Sequence, residues 1–359
     1  MRSRIALNAL ALRPGGGGVQ TYIRELLAVL PAVSGAEITA AVQADAAGLL
    51  PHGVRPLVRP VCAGARRAAC GLRALGPAEL VHGLDVDLPL RPGAPTVTTV
   101  HDMSVFDVPW AHSRWRGVGE RFLIRKALAR ADAIVAVSSF TAERIRHHLR
   151  RDATVAPLAP SPDLRPPSPE VVASVRQAYD LPERFVLQVG TVEPRKDVAG
   201  LAAACRTADV PLVLAGAAPM GVPSGVRWLG YVDRSNLAGL YGAATVVAYW
   251  SRYEGFGLPP LEAMACGATV VASRVGALAD VLGDGGVLLR PGDIGALAAT
   301  LSRLLVDRQE RCALATEARR QAGRYSWAAT AMTTVEVYRS LGVAVAGVPV
   351  RPLTGLDPP

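Results

Sequence analysis

The chain has 359 residues, half of them apolar and 19% charged, enough apolar surface to offset chain entropy, which excludes a disordered or fibrous protein and suggests two domains. Its five cysteines (Cys62, Cys70, Cys205, Cys266, Cys312) are scattered with no CxxC pair, which excludes a disulfide-stapled scaffold and fits reduced thiols in the cytoplasm. The formal charge of +9 suits an anionic ligand or an acidic surface, and nearly all the positive charge is arginine, Lys126 and Lys196 being the only lysines.

The first residues read as a strand running into Arg13 and a glycine loop rather than as a signal peptide, and every apolar run falls short of a membrane span. Strand patterns follow over 4–9, 37–42, 79–82, 96–100, 133–137 and 153–158, alternating with helical patterns over 19–30, 114–130 and 140–149, the last behind a Ser138-Ser139 cap. Residues 157–169 read PLAPSPDLRPPSP; such proline density stops helices and ladders, so the domain linker is expected there. A second series begins after it, with strands over 185–189, 211–215, 226–229, 245–249, 269–272 and 287–289. Its helices fall over 198–205, 235–241, 260–266, 294–305 and 308–322, with Asp293 as an N-cap. Strands alternating with helices in this way predict an α/β fold of two Rossmann-like domains, 1–163 and 164–326. A further helix over 327–341 is expected to cross back to the first domain, and 349–359 to be a loose tail.

Three segments carry chemistry. Gly15 to Gly18 stand between the first strand and the first helix, where bare amides and a helix N-terminus favour a phosphate. No Gly-Lys-Ser/Thr follows, and Gln43 stands where a dinucleotide site needs an acid, so neither a P-loop nor a dinucleotide fingerprint is present. The run Gly190-Thr-Val-Glu-Pro-Arg195-Lys196 ends a second-domain strand and offers a bidentate and a point cation to a diphosphate. In Glu254-Gly255-Phe256-Gly257-Leu258-Pro-Pro-Leu-Glu262 the two carboxylates can accept hydrogen bonds from sugar hydroxyls, Glu262 from the first turn of a helix started by Pro259 and Pro260. His101-Asp102 also lies at a strand's carboxyl end. Asp85-Val86-Asp87 has the form of a metal-diphosphate site, but in a chain with two sheets and the Arg195-Lys196 pair that role is the weaker reading.

Taken together, Gly15 to Gly18, His101-Asp102, Glu193-Pro-Arg-Lys196 and EGFGLPPLEAMACG from Glu254 resemble the retaining glycosyltransferases of the GT-B fold, in the large group 1, family 4 set of bacterial mannosyl- and glucosyltransferases. The resemblance implies two Rossmann-like domains facing each other across a cleft, the first binding acceptor and the second a nucleoside diphosphate sugar. It implies catalytic roles for His101, Arg195, Lys196 and Glu254. Donor contacts would come from Gly17, Gly18, Arg195, Lys196, Glu254, the stretch Gly255, Phe256, Gly257 and Leu258, and from Glu262, which would hold the ribose. No cofactor or metal is implied, so activity should persist in chelator, and the reaction would retain anomeric configuration by a same-face displacement. Residues 100–109 (VHDMSVFDVP) look most like mannosyltransferases, making GDP-mannose the expected donor, with UDP-glucose and UDP-N-acetylglucosamine as alternatives. The acceptor stays open among a small molecule, a glycan and a lipid-linked hydroxyl, with no nucleic-acid partner. Arginines along 114–130 with Trp110, Trp115 and Phe122 nearby suit either a solvated face or peripheral contact with an acidic membrane. A nucleotide-sugar epimerase and a dinucleotide oxidoreductase are rivals from other classes.

Overall fold

The computed structural model describes residues 2–346 and divides into two units: the chain up to Met103 with Trp115–Leu158 and the chain from Ser326 onward, and Ser104–Arg114 with Ala159–Tyr325. The tail expected over 349–359 lies outside the described residues.

The first unit is built on seven parallel strands: β1 (Arg4–Asn8), β2 (Glu37–Gln43), β3 (Val54–Arg59), β4 (Leu80–Gly83), β5 (Thr96–Val100), β6 (Ala133–Ala136) and β7 (Thr154–Val155). They lie in the order β3-β2-β1-β4-β5-β6-β7. The order reverses between β1 and β4, the switch point outside which open parallel sheets bind ligands, and the glycine loop follows β1 there. Strands β4 and β5 are buried throughout, as a sheet covered by helices on both faces requires. Strand β3 is not marked by the sequence pattern. It sits at the sheet edge, pairing only with β2, where Pro56 forfeits a ladder donor at no cost to a neighbour.

Helix Gly18–Ser34 packs against the C-terminal helix Trp327–Ser340. Ser326 caps the latter by accepting from the Ala329 amide, Thr330 Oγ1 donates to the Pro157 carbonyl at 2.5 Å, and the Ala346 amide donates to Ser34 at 2.9 Å. The C-terminal segment is thus part of the first unit.

The second unit carries β8 (Val186–Val189), β9 (Leu212–Ala215), β10 (Arg227–Trp228), β11 (Val246–Tyr249), β12 (Val270–Ser273) and β13 (Gly286–Leu289). They form a parallel sheet in the order β10-β9-β8-β11-β12-β13. Its switch point lies between β8 and β11. Leu297, Leu301 and Leu304 of helix Ile294–Val306 are fully buried against Val246, Val271 and Trp250, each such leucine contributing about 1.5–3 kcal/mol. Asp293 Oδ1 caps that helix through the Ala296 amide at 2.9 Å.

Two differences from the sequence reading concern a helix directly after the linker and a short segment well before it. Helix Pro169–Ala178 forms immediately after the proline-rich run because Ser168 caps it and Pro169 takes the first turn, where no amide is needed. It seats on helix Arg234–Ala243 at Gly239, where a Cβ would lie 2.6 Å from Val175 Cγ2. Residues 104–114, inside the expected first domain of 1–163, group with the second unit. A four-residue helix, Ser104–Asp107, and the turn Pro109–Ala111 leave this segment no extended stretch with which to join a sheet, and it buries Val105 and Val108 instead.

Candidate active site

In the second unit, side chains converge outside the carboxyl ends of β8 and β11. After β8 the chain turns at Gly190, whose φ of +131° and absent side chain admit the Lys196 head, since a Cβ there would stand 2.7 Å from Nζ. Lys196, only 6% exposed, donates from Nζ to Tyr249 Oη at 2.9 Å and lies 5.0 Å from the centre of that ring. Burial lowers the lysine's pKa, and Glu254 works against that shift. Burial, with the Glu254 charge adding to it, likewise holds the Tyr249 phenol well above its ordinary value, so it is a neutral hydroxyl that receives from Lys196.

Glu254 is 5% exposed and is the hub of this network. Its Oε1 accepts from Ser251 Oγ at 2.8 Å and forms an ion pair with Arg195 Nη1 at 3.1 Å. Arg195 also donates to Glu193 at 2.8 Å and to the Tyr253 carbonyl at 3.1 Å. Paired with the buried Glu254 carboxylate, the guanidinium is held in one orientation. Asp197 caps helix Val198–Thr207 through the Gly200 amide and pairs with Arg252 at 2.9 Å, which ties the loop after β8 to the loop after β11.

The stretch Gly255 to Leu258 leads into helix Leu258–Ala265, entered through Gly257 at φ +99°. The amides of Phe256 and Gly257 have no hydrogen-bond partner among the described residues, and Phe256 packs edge-on against Tyr325 at 6.0 Å. The helix starts at Leu258 rather than near Pro260, because the left-handed glycine turns the chain early. Glu262 therefore lies past the first turn, where the helix dipole has little hold on it. Its Oε2 accepts from Tyr241 at 3.3 Å, and that phenol is held high by burial and by the Glu262 charge.

In the first unit Gly17 caps helix Gly18–Ser34, its amide donating to Gln20 Oε1 at 2.9 Å. A phosphate at Gly17 must displace Gln20. His101 follows β5, donates from Nε2 to the Leu84 carbonyl at 3.0 Å, and meets the edge of Tyr22 at 4.8 Å. Tyr22 Oη is 2.8 Å from Thr99 Oγ1, which is 2.9 Å from His82 Nε2, while His82 Nδ1 is 2.7 Å from Tyr338 Oη. This buried chain joins four elements beneath His101. His82 carries no signal in the sequence, because Tyr338, the partner that gives it a role, comes from the far end of the chain.

Also in the first unit, a cleft of about 780 Å³ is lined by Arg13, Gln20, Arg67, Asp85, Glu120 and Leu123 among others. Asp87 pairs with Arg67, and Asp85 Oδ1 accepts from the Val86 amide at 2.8 Å, so both carboxylates of the Asp-x-Asp run are engaged within the protein. Gln43 is buried, bridging the Leu10 carbonyl and the Cys62 amide, so the end of β2 offers no acid to a dinucleotide ribose. Helix Arg114–Arg130 exposes Val118 (50%) and Phe122 (59%) beside Arg125 and Lys126. No helix among the described residues is long and apolar enough to cross a membrane.

Residues 16–159 match the family described as Glycosyltransferase Family 4, and residues 174–321 match glycosyl transferases group 1. The O-antigen chain mannosyltransferase B of Escherichia coli is 34% identical over 284 residues, which cover 73% of this chain and 74% of that protein. Among solved structures, sucrose-phosphate synthase from Thermosynechococcus elongatus superposes with a TM-score of 0.76 at 24% identity, covering 96% of this chain and all of that one. HepE of Anabaena, solved with UDP and glucose, gives 0.72 at 20% identity over 94% of this chain and all of its own. These likenesses are of fold. With both units matched and a relative of that similarity along most of its length, the chain belongs to the group 1, family 4 glycosyltransferases and is a glycosyltransferase of the GT-B fold.

Proposed function

We propose that the chain transfers a mannosyl unit from GDP-mannose to a hydroxyl acceptor with retention and without a metal. The observation that carries this is the Arg195–Glu254 pair beside the buried Lys196–Tyr249 bond at the switch point of the second sheet. It keeps two cations where a departing diphosphate would gather charge, the electrostatic contribution that usually dominates such reactions. The mannosyl choice rests on the E. coli relative's activity and on the segment after β5. The nucleoside diphosphate class also suits HepE, whose structure holds UDP.

In this reading Glu254 and the amides of Phe256 and Gly257 meet the sugar hydroxyls, and Glu262 and Leu258 line the ribose side. Gly255 lets the backbone approach. By the family resemblance, Gly17 and Gly18 serve the diphosphate and His101 stands beside the sugar. The C1–O bond to the diphosphate breaks as a bond from C1 to the acceptor oxygen forms on the same face, and the acceptor proton passes to the departing phosphate oxygen. The charge-balanced lining of the first-unit cleft, Arg13 and Arg67 against Asp85 and Glu120, suits a neutral polyhydroxyl acceptor. The exposed Val118 and Phe122 beside basic residues suit an acceptor held at an acidic lipid surface, which co-sedimentation with phosphatidylglycerol as against phosphatidylcholine vesicles tests.

The deciding experiment incubates the chain with methyl α-mannoside and, in turn, GDP-mannose, UDP-glucose or UDP-N-acetylglucosamine in EDTA, following products by NMR. An α-linked mannoside from GDP-mannose is the expected result. Transfer from a UDP-sugar instead would overturn the donor, loss of transfer in EDTA the metal independence, and conversion of a donor without acceptor the transferase reading itself in favour of an epimerase.

A further inference from the structure

Cys62 and Cys70 stand at the two ends of helix Gly64–Gly71 with their sulfurs 3.7 Å apart. Both are half-buried, within reach of a small oxidant. The backbone at each end is tethered to the same place, the carboxyl end of β1. The Cys62 amide donates to Gln43 Oε1 at 2.6 Å while Gln43 Nε2 donates to Leu10 at 3.0 Å, and Asn8 Nδ2 donates to the Gly71 carbonyl at 3.1 Å. With both ends held, an S–S bond of about 2.05 Å needs the sulfurs to approach by roughly 1.7 Å, within the reach of side-chain rotation. The remaining cysteines make poor rivals. Cys205 and Cys266 are buried away from an oxidant, and Cys312 is exposed but has no neighbouring thiol among the described cysteines.

We propose that Cys62 and Cys70 are a modification site: a dithiol that a hydroperoxide closes to a disulfide, stiffening helix Gly64–Gly71 and with it one wall of the first-unit cleft. One thiolate attacks the peroxide's terminal oxygen, releasing an alcohol or water and leaving a sulfenic acid. The second thiolate then attacks that sulfur, forming the S–S bond and releasing water. Two thiols and one hydroperoxide thus yield one disulfide, one alcohol and one water, with two electrons passing from sulfur to oxygen. A dithiol reductant reverses the step. The wall matters because Ala63, Gly64 and Arg67 line the cleft and Arg67 pairs with Asp87. Closure pulls on the turn that sets the Arg67 side chain. The consequence for transfer rests on the reading of this cleft as the acceptor site; the chemistry of the thiols does not.

The test treats the full chain with hydrogen peroxide and reads intact mass, a peptide map and amide hydrogen exchange, with Cys62→Ser, Cys70→Ser and Cys312→Ser alongside. Expected are the loss of two hydrogens, a Cys62–Cys70 cross-link, slower exchange over residues 62–72 and reversal by dithiothreitol, all abolished in the first two variants and kept in the third. With GDP-mannose as donor, the KM for methyl α-mannoside should rise about fivefold on oxidation while the donor KM holds. Absence of that cross-link overturns the proposal, as does a cross-link that changes neither exchange nor acceptor KM. Cross-linking with slowed exchange in a chain that transfers no sugar upholds the dithiol and overturns only the acceptor reading.

Discussion

Lys196 and Arg195 are adjacent in sequence yet occupy different electrostatic environments. Arg195 reaches Glu254 directly, whereas Lys196 is buried and donates to Tyr249. Removing Arg195 takes away a cation and leaves Glu254 short of a donor, so Arg195→Ala is expected to lower kcat by about 10²–10³, read in steady-state assays beside a circular-dichroism check of the fold. In Tyr249→Phe both cations remain but Lys196 loses its hydroxyl partner; turnover should fall about tenfold with donor KM little changed. Equal kcat in Tyr249→Phe and the parent chain would show that hydroxyl to be idle. His82 carries the clearest dependence on pH. Burial, helped by the charge of His101, holds its pKa down at about 3, against about 6.5 in an unfolded chain. Between those values the unfolded chain binds a proton that the folded chain does not. Stability therefore rises with pH across this window and is lost as pH falls below about 6.5, by about 1.4 kcal/mol per unit. Urea midpoints measured from pH 7.5 down to 4.5 should show His82→Gln with a correspondingly shallower fall than the parent.

At the scale of elements, the loops after β11 and β12 determine whether Glu254 is held in place. Gly276 has φ +53° and a Cβ there would overlap the Glu254 carbonyl, which accepts from the Ala277 amide at 3.1 Å. Gly292 has a similar φ of +82° with open space around it. Gly292→Ala is thus expected to cost about 1 kcal/mol of backbone strain alone, and Gly276→Ala about 1–3 kcal/mol more together with most of the turnover, by denaturant melts and donor turnover in parallel. Equal costs would mean that the contact with Glu254 is soft. The sequence marks both positions only as glycines. The strands were legible where the pattern is strongest, as over Thr96–Val100, and the Ser138 and Asp293 caps were legible because a cap acts on amides two or three residues away. Strand β3 and helix Pro169–Ala178 were not, because proline lies within the first and crowds the start of the second; pairing to β2 decides for the strand, and packing on helix Arg234–Ala243 adds to the Ser168 cap for the helix.

At the scale of the molecule, the first unit is closed by residues from the end of the chain. Helix Trp327–Ser340 supplies Tyr338 to His82, brings Trp327 to within 6.2 Å of Tyr22 and packs along helix Gly18–Ser34. A chain ending at Tyr325 should therefore lose the first unit selectively. Limited proteolysis is expected to cut within residues 2–103 and 115–158 while the second unit persists, and a truncated chain as resistant as the parent would contradict this closure. The chemistry of the candidate site was largely present in the sequence as residue types at characteristic spacings: the glycine loop, the Arg-Lys pair and the Glu-x7-Glu run. Spacing of this kind follows from short-range backbone geometry, which neighbouring residues determine. Which groups pair was decided only by the tertiary structure. The burial of Lys196, the ion pair of Glu254 with Arg195, the placing of Glu262 beyond its helix's first turn, the His82 network and the meeting of Cys62 with Cys70 all depend on which strands lie side by side and how helices cover them. Burial and charge pairing are properties of neighbours in space, and they set both pKa and orientation.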